Sequence, residues 1–308
     1  MDKRLTRIDL MFALGFLFML VVAVAAFFYG VKVGASQAES RHEKATALPQ
    51  AAAASVSLNA YQLQDLVSFY HTVFLPYREF LDDWQSAQQE WLSDESADRS
   101  AQVKELVRSA KAEYESVKVA YVPQVSPLLK DAQNQYLKSL KLYADGLSAY
   151  VSSANQATAD IVLEQINANA YIAEAQKLSL AAQKQYYESM VKWGATVDID
   201  IPEESKDKTS IDLAGWKKLP LLIKNELAAE YMQERSLMTG FLPQDLAARI
   251  DSFVASGQAA KMKLKSMSSV ADLLTQTDAV RKGDFLASKV RLYDQELLPQ
   301  LPFFSSDK

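Results

Sequence analysis

The sequence has no cysteine, two histidines, and only nine glycines and nine prolines in 308 residues. Without cysteine there is no disulfide, no thiolate metal site, no cysteine nucleophile and no lipid-modified cysteine behind an apolar leader. The two histidines, His42 and His71, lie far apart and form no paired-histidine zinc motif. No Gly-x-Ser-x-Gly elbow occurs, and no Gly-Lys-Ser or Gly-x-Gly pattern that could cradle a phosphate. These gaps remove the common routes to hydrolytic, metal-dependent and nucleotide-driven chemistry. The expectation is therefore a protein that is not an enzyme and uses no cofactor and no metal. Scarce glycine also disfavours a turn-rich sheet protein and favours an all-α fold.

The formal charge is −5, although Lys3, Arg4 and Arg7 are gathered at the start. The chain beyond these basic residues is more acidic than the whole. A mildly acidic domain is not suited to coating nucleic acid or anionic lipid, so no nucleic-acid partner is expected.

What the chain does have is a run of 22 uncharged residues, Leu10–Val31. At about 1.5 Å per residue, a helix of that length spans the roughly 30 Å hydrocarbon layer of a bilayer. A small-residue pattern at Ala23-Val24-Ala25 would suit cleavage of a signal peptide. The apolar run continues past it through Ala26, Phe27, Phe28 and Tyr29, so an uncleaved transmembrane helix is expected. The basic residues before it place residues 1–9 as a short cytoplasmic tail and the remaining chain outside. No second run of that length occurs, which gives a single-pass cell-membrane protein whose first partner is the lipid bilayer. Gly30 and Gly34 have the small-xxx-small spacing through which membrane helices pair, so a homo-oligomer is a candidate. They straddle Lys32 at the membrane edge, and a flexible exit is the plainer reading.

Residues 32–58 are mostly small and polar without a sustained period and read as a tether. Helical periodicity then begins near Asn59, which with Gln62 resembles a capping box. Apolar positions recur from Leu63 to Trp84 across Pro76, implying a kinked helix or two abutting ones. A second helix is expected over 96–120. Ser126-Pro127 is a strong helix start, after which Leu129, Tyr136, Tyr143 and Tyr150 recur every seven residues, with Leu140, Leu147 and Ala154 four positions on. That is a bundle seam. A fourth helix is expected over 157–192. Residues 59–193 thus read as a helical bundle core, 194–215 as a charged linker and 216–308 as a smaller C-terminal helical lobe, with helices over 216–238, 243–256, 261–275 and 278–298.

Few residues stand out as site candidates. Asp198, Asp200, Glu203 and Glu204 could gather calcium, but they lack the glycine and terminal glutamate of a hand-type loop and read as a solvated linker. Lys261, Lys263 and Lys265 read as a wet face. His71 lies beside the aromatic face of the first helix. Tyr136, Tyr143 and Tyr150 on the seam, with Phe303 and Phe304 near the end, are the candidate ligand or partner surface. Packing competes with that role, because the same seam carries leucine. The conjunction of anchor, tether and amphipathic helices leads to an extracytoplasmic helical domain acting by protein–protein contact with a bacterial-envelope partner. A ligand-sensing or solute-binding domain is the alternative, ahead of a carboxylate-dependent wall glycan hydrolase.

Overall fold

A computed structural model describes residues 60–202 and 211–305. The apolar segment 10–31, the tail 1–9, the tether 32–58 and the central part of the expected linker lie outside the described residues. The described residues are all helical apart from turns and a single bridge between Asp212 and Ser266, and no helix among them is long and apolar enough to cross a membrane.

The chain enters through α1 (Leu63–Phe69), where the Gln62 N–H donates to the Asp65 carboxylate at 3.3 Å. The start is thus at Gln62 rather than Asn59. The interruption at Pro76 is resolved by a π-helical turn, Tyr70–Phe74, in which the Leu75 N–H reaches back to the Tyr70 carbonyl. Pro76 has no N–H to give, and the wider turn opens the ladder before its ring arrives. The rod then continues as α2 (Leu75–Ser93). The turn lets one face stay buried on both sides of the proline, from Leu66 through Tyr77 to Trp91.

Next come α3 (Arg99–Val119) and α4 (Pro127–Ser148), antiparallel to each other. Ser126 does not cap α4 with its hydroxyl. Its Oγ accepts instead from the Tyr61 N–H at 2.9 Å, tying the chain entry to the α3–α4 turn. The seam packs as the spacing predicts: Leu129, Tyr136, Leu140, Tyr143 and Leu147 are all buried. The expected fourth helix is two: α5 (Ala159–Asn167) and α6 (Ala170–Val197). Asn169 separates them, its side chain accepting from the Tyr171 N–H at 2.9 Å as an N-cap. Gly146 lets α4 and α6 approach, because a Cβ there would meet Ile172 Cδ1 at 2.8 Å. Arg99 closes the far end, donating to the Ala154 carbonyl at 2.9 Å and the Ala157 carbonyl at 2.8 Å.

The expected boundary at 194 falls inside a helix. α6 runs on to Val197, and Gly194 packs against Leu222. Beyond the gap lie α7 (Leu213–Trp216), α8 (Leu221–Glu234), α9 (Pro243–Ala255), α10 (Gln258–Lys261), α11 (Met267–Gln276) and α12 (Asp284–Leu292), then a 3₁₀ turn, Pro302–Phe304. The helix expected over 216–238 is broken at Pro220, and those expected over 261–275 and 278–298 are shorter than their patterns. α8 lies along α6, and the C-terminal helices share one continuous core with the bundle. Each fully buried large apolar side chain in such a core contributes about 1.5–3 kcal/mol.

The C-terminal helices are organised around two aspartates on α9. Asp251 accepts from Trp216 Nε1 at 2.7 Å, Tyr293 OH at 2.7 Å and Lys224 Nζ at 2.9 Å. Asp245 accepts from the backbone N–H groups of Leu242, Gly283 and Phe285 at 3.0, 3.2 and 3.1 Å. Burial raises its pKa, and those N–H groups pull against the rise.

Candidate functional site

The five residues singled out by the sequence do not form one surface. Tyr136 is fully buried, its ring 4.3 Å from that of Tyr77. Phe303 and Phe304 fold back onto their own domain. Phe303 lies against Tyr70, Phe74 and Tyr187, while Phe304 is buried against Phe285. Tyr150 lies just past the end of α4 and is spent on the α5–α6 corner, its hydroxyl donating to the Gln165 carbonyl at 2.9 Å. These four are packing residues, the role that competed in the sequence with a ligand or partner surface. The hydrophobic effect sends such rings inward wherever a helix face offers them a partner.

Tyr143 is different. Its ring is buried against Phe80 at 5.1 Å, but its hydroxyl makes no hydrogen bond of regular geometry, although Gln176 acts on its pKa as a hydrogen-bonding neighbour, against the effect of burial. Tyr77, which faces the seam from α2, shows the contrast: its OH bonds Ser139 Oγ at 2.7 Å, and Ser139 donates on to the Ala175 carbonyl. A buried hydroxyl left unpaired costs about 1–3 kcal/mol. Burial holds the Tyr143 pKa well above that of a free tyrosine, so the group stays neutral and able to donate.

Tyr143 is one of the residues lining a cleft of about 480 Å³ between the outer half of α2, the corner of α5 and α6, and the loop before α9. Five side-chain amides line it: Gln85, Gln88, Gln89, Asn167 and Gln176. No Asp, Glu, Lys, Arg or His lines it. Trp84 and Leu81 give it an apolar wall, and Thr239 and Gly240 form the opposing lip. Gly240 is held by Arg78, whose Nη2 donates to its carbonyl at 3.3 Å. A Cβ at 240 would come within 3.1 Å of Gln85 Oε1, so Gln85 would have to shift by a few tenths of an ångström to admit one. Each amide offers a donor and an acceptor, and the site carries no net charge. Its size lies within the range of small-molecule pockets, with polar groups converging on an apolar wall.

A wider groove of about 680 Å³ runs between α2 and α3, lined by Asp83, Glu90, Glu105 and Arg108 among others. Its charges belong to solvated helix faces, and no unpaired buried group points into it. Among the described residues no cluster of three or more acids and histidines could hold a metal ion. His71 is exposed in the π-helical turn with its ring edge-on to Tyr70 at 4.9 Å. Asp198 and Asp200 stay in a solvated turn, where the Asp200 N–H donates to Asp198 Oδ1 at 3.0 Å, and Lys261, Lys263 and Lys265 are exposed.

Sequence reasoning found Tyr143 but not the cleft around it. The glutamines of α2 occupy positions that periodicity assigns to the wet face, and the Met238–Gly240 lip comes from a distant loop. The one available signal was the density of amides in "WQSAQQEW" at Trp84–Trp91. No known protein family matches the chain, and neither does any curated protein or solved structure.

Proposed function

We propose that this chain is a membrane-anchored, extracytoplasmic binding domain that takes an uncharged, hydroxyl- or amide-bearing solute in the Tyr143 cleft. The observation that carries the binding role is Tyr143, whose buried hydroxyl lacks a regular hydrogen bond, among the residues that line a cleft with five neutral amides. A ligand oxygen that displaced the side chains over that hydroxyl would satisfy it and relieve its desolvation penalty. The absence of charge from the lining favours neutral ligands, because a charged one would be desolvated there without a counter-ion. The anchoring part of the reading rests on the 22 uncharged residues Leu10–Val31 and the basic residues before them.

A scaffold for an envelope protein would need the same anchor and bundle. It would not need a concave site with converging polar groups, and that difference favours binding. The cleft contains no carboxylate pair, so the glycan-hydrolase alternative draws no support from it.

Thermal-shift and calorimetric titration of the full chain in detergent tests the reading. The panel pairs neutral N-acetylated and plain oligosaccharides with their acidic and basic counterparts. Neutral members should raise the melting temperature in the wild type and do so at least tenfold more weakly in Tyr143→Phe. Equal response to charged members, or binding untouched by that substitution, overturns the assignment.

A further inference from the structure

The turn between α3 and α4 has a composition unlike the rest of the surface. From Val119 to Leu129 the chain reads VAYVPQVSPLL, eleven residues without a charge, bounded by Lys118 and Lys130. Val122, Ser126 and Leu129 fold inward, but Val119 and Tyr121 are each 80% exposed and Val125 is 37% exposed. The turn is not loose. Gln133 Nε2 donates to the carbonyls of Val117 and Ala120 at 2.9 and 2.8 Å, fixing the end of α3. A rigid turn therefore presents a valine, a tyrosine and a second valine to the outside. Soluble surfaces seldom keep such side chains together without a use for them.

The position of this turn says what covers it. Ser126 and Leu128 hold Tyr61, by the 2.9 Å bond from its N–H to Ser126 Oγ and the 3.4 Å bond from the Leu128 N–H to its hydroxyl. The chain therefore enters the domain beside the exposed turn, after the 27-residue stretch 32–58 that succeeds the apolar segment. On the tether reading of that stretch, a random coil of 27 residues would have a root-mean-square reach of about 30 Å, which would keep this end close to any bilayer the segment spans. Tethering at that distance makes a weak surface contact effectively intramolecular, so a few side chains suffice to hold it. Tyrosine at a headgroup boundary, apolar residues beyond it and lysines on either flank are the pattern of interfacial attachment.

We propose that the Val119–Leu129 turn is a lipid-docking tip, which sets Val119, Tyr121 and Val125 into the outer surface of the bilayer. The proposal rests on the anchored reading of the chain and adds an orientation to it. Tyr143 lies 16 residues beyond Pro127 along α4, about 24 Å further out at 1.5 Å per residue. Docking by the tip would therefore hold the Tyr143 cleft clear of the headgroups, facing the envelope space.

The cysteine-free sequence permits a direct test. Single variants Tyr121→Cys, Tyr171→Cys and Val21→Cys of the full chain carry a nitroxide label in vesicles of phosphatidylethanolamine and phosphatidylglycerol at 3:1. Tyr171 is the control, an exposed tyrosine (55%) at the opposite end of the bundle, where α6 begins. Collision rates are read with oxygen, which concentrates in lipid, and with a water-soluble nickel chelate. Docking predicts nickel collisions at least tenfold lower at 121 than at 171, with oxygen collisions retained. Equal nickel access at 121 and 171 overturns the docking tip. Shielding from both quenchers at 121 also overturns it, since a second protein copy rather than lipid would then be the cover. The label at 21 separates the two readings: lipid exposure at 21 with water exposure at 121 leaves the anchor standing and removes only the tip. Water exposure at both removes anchor and tip together.

Discussion

The helices from Leu63 to Val197 and those from Leu213 to Leu292 are held by different chemistry. In the first group, aromatic side chains meet one another along the seam: Tyr77 with Tyr136, Phe80 with Tyr143, Phe69 and Phe74 with Tyr186. In the second, short helices converge on Asp245 and Asp251, each gathering three donor groups. Long helices expose enough apolar face to pack by area alone. A helix of nine to fourteen residues does not, and a carboxylate that receives several N–H or O–H groups fixes its orientation instead. The difference teaches where each half is vulnerable: volume in the first, charge and hydrogen bonding in the second.

The largest expected effect comes from removing the second hub. Asp251→Ala leaves the nearly buried Lys224 ammonium without its partner and strands Trp216 and Tyr293. A loss of about 3–5 kcal/mol is expected, measured by urea denaturation. The double variant Asp251→Leu, Lys224→Met should recover much of that loss, because no uncompensated charge remains. A double variant no more stable than the single would mean that the hub acts through shape, and the contrast between the halves would collapse.

The next effect tests the joint between the two groups. Tyr187 on α6 donates its hydroxyl to Gln244 Oε1 on α9, and both are buried. Tyr187→Phe keeps the ring packing and leaves Gln244 unsatisfied, for an expected loss of about 1–3 kcal/mol. Hydrogen exchange should show the loosening in α9 and not in α4.

A smaller effect concerns acidity. Burial raises the Asp245 pKa above its unfolded value despite its three backbone donors. The folded state therefore holds that proton more tightly than the unfolded chain does. The resulting stability is fully present below the ordinary carboxylate value and is lost as pH rises through the raised one. Melting temperature followed from pH 3 upward should show this decline in the wild type and lose it in Asp245→Asn. An unchanged slope in the variant would assign the titration elsewhere.

The same contrast explains how much could be read in advance. The heptad Leu129-Tyr136-Tyr143 and the periodic face of α1 and α2 locate the first bundle, because burial follows spacing when helices are long. The division at Asn169 escaped detection because the apolar period runs on from Ile166 to Ile172. The linker expected over 194–215 failed at its near edge. Gly194 signals a break, yet here it serves close approach to Leu222 inside a helix. The hubs were illegible: Asp245 and Asp251 look like any solvated acid until Gly283, Trp216 and Tyr293 arrive from 35 to 42 positions away. The cleft was half legible, through Tyr143 alone.

The smallest expected change in stability is also the most informative about function. Tyr77, facing the seam from α2, has its hydroxyl paired, whereas the buried Tyr143 hydroxyl makes no hydrogen bond of regular geometry. Tyr77→Phe should lose about 1 kcal/mol by breaking the bond to Ser139. Tyr143→Phe removes a group that is desolvated without return, so it should be neutral or stabilising by up to about 1 kcal/mol. On the proposed binding role, a residue whose polar atom weakens the fold and which lines an uncharged amide-lined cleft would have its compensation in a bound state. If Tyr143→Phe instead destabilised the free protein as much as Tyr77→Phe does, its hydroxyl would have to be paired in solution. Water or Gln176 would then satisfy it, and Tyr143 would become one more packing residue of the aromatic half.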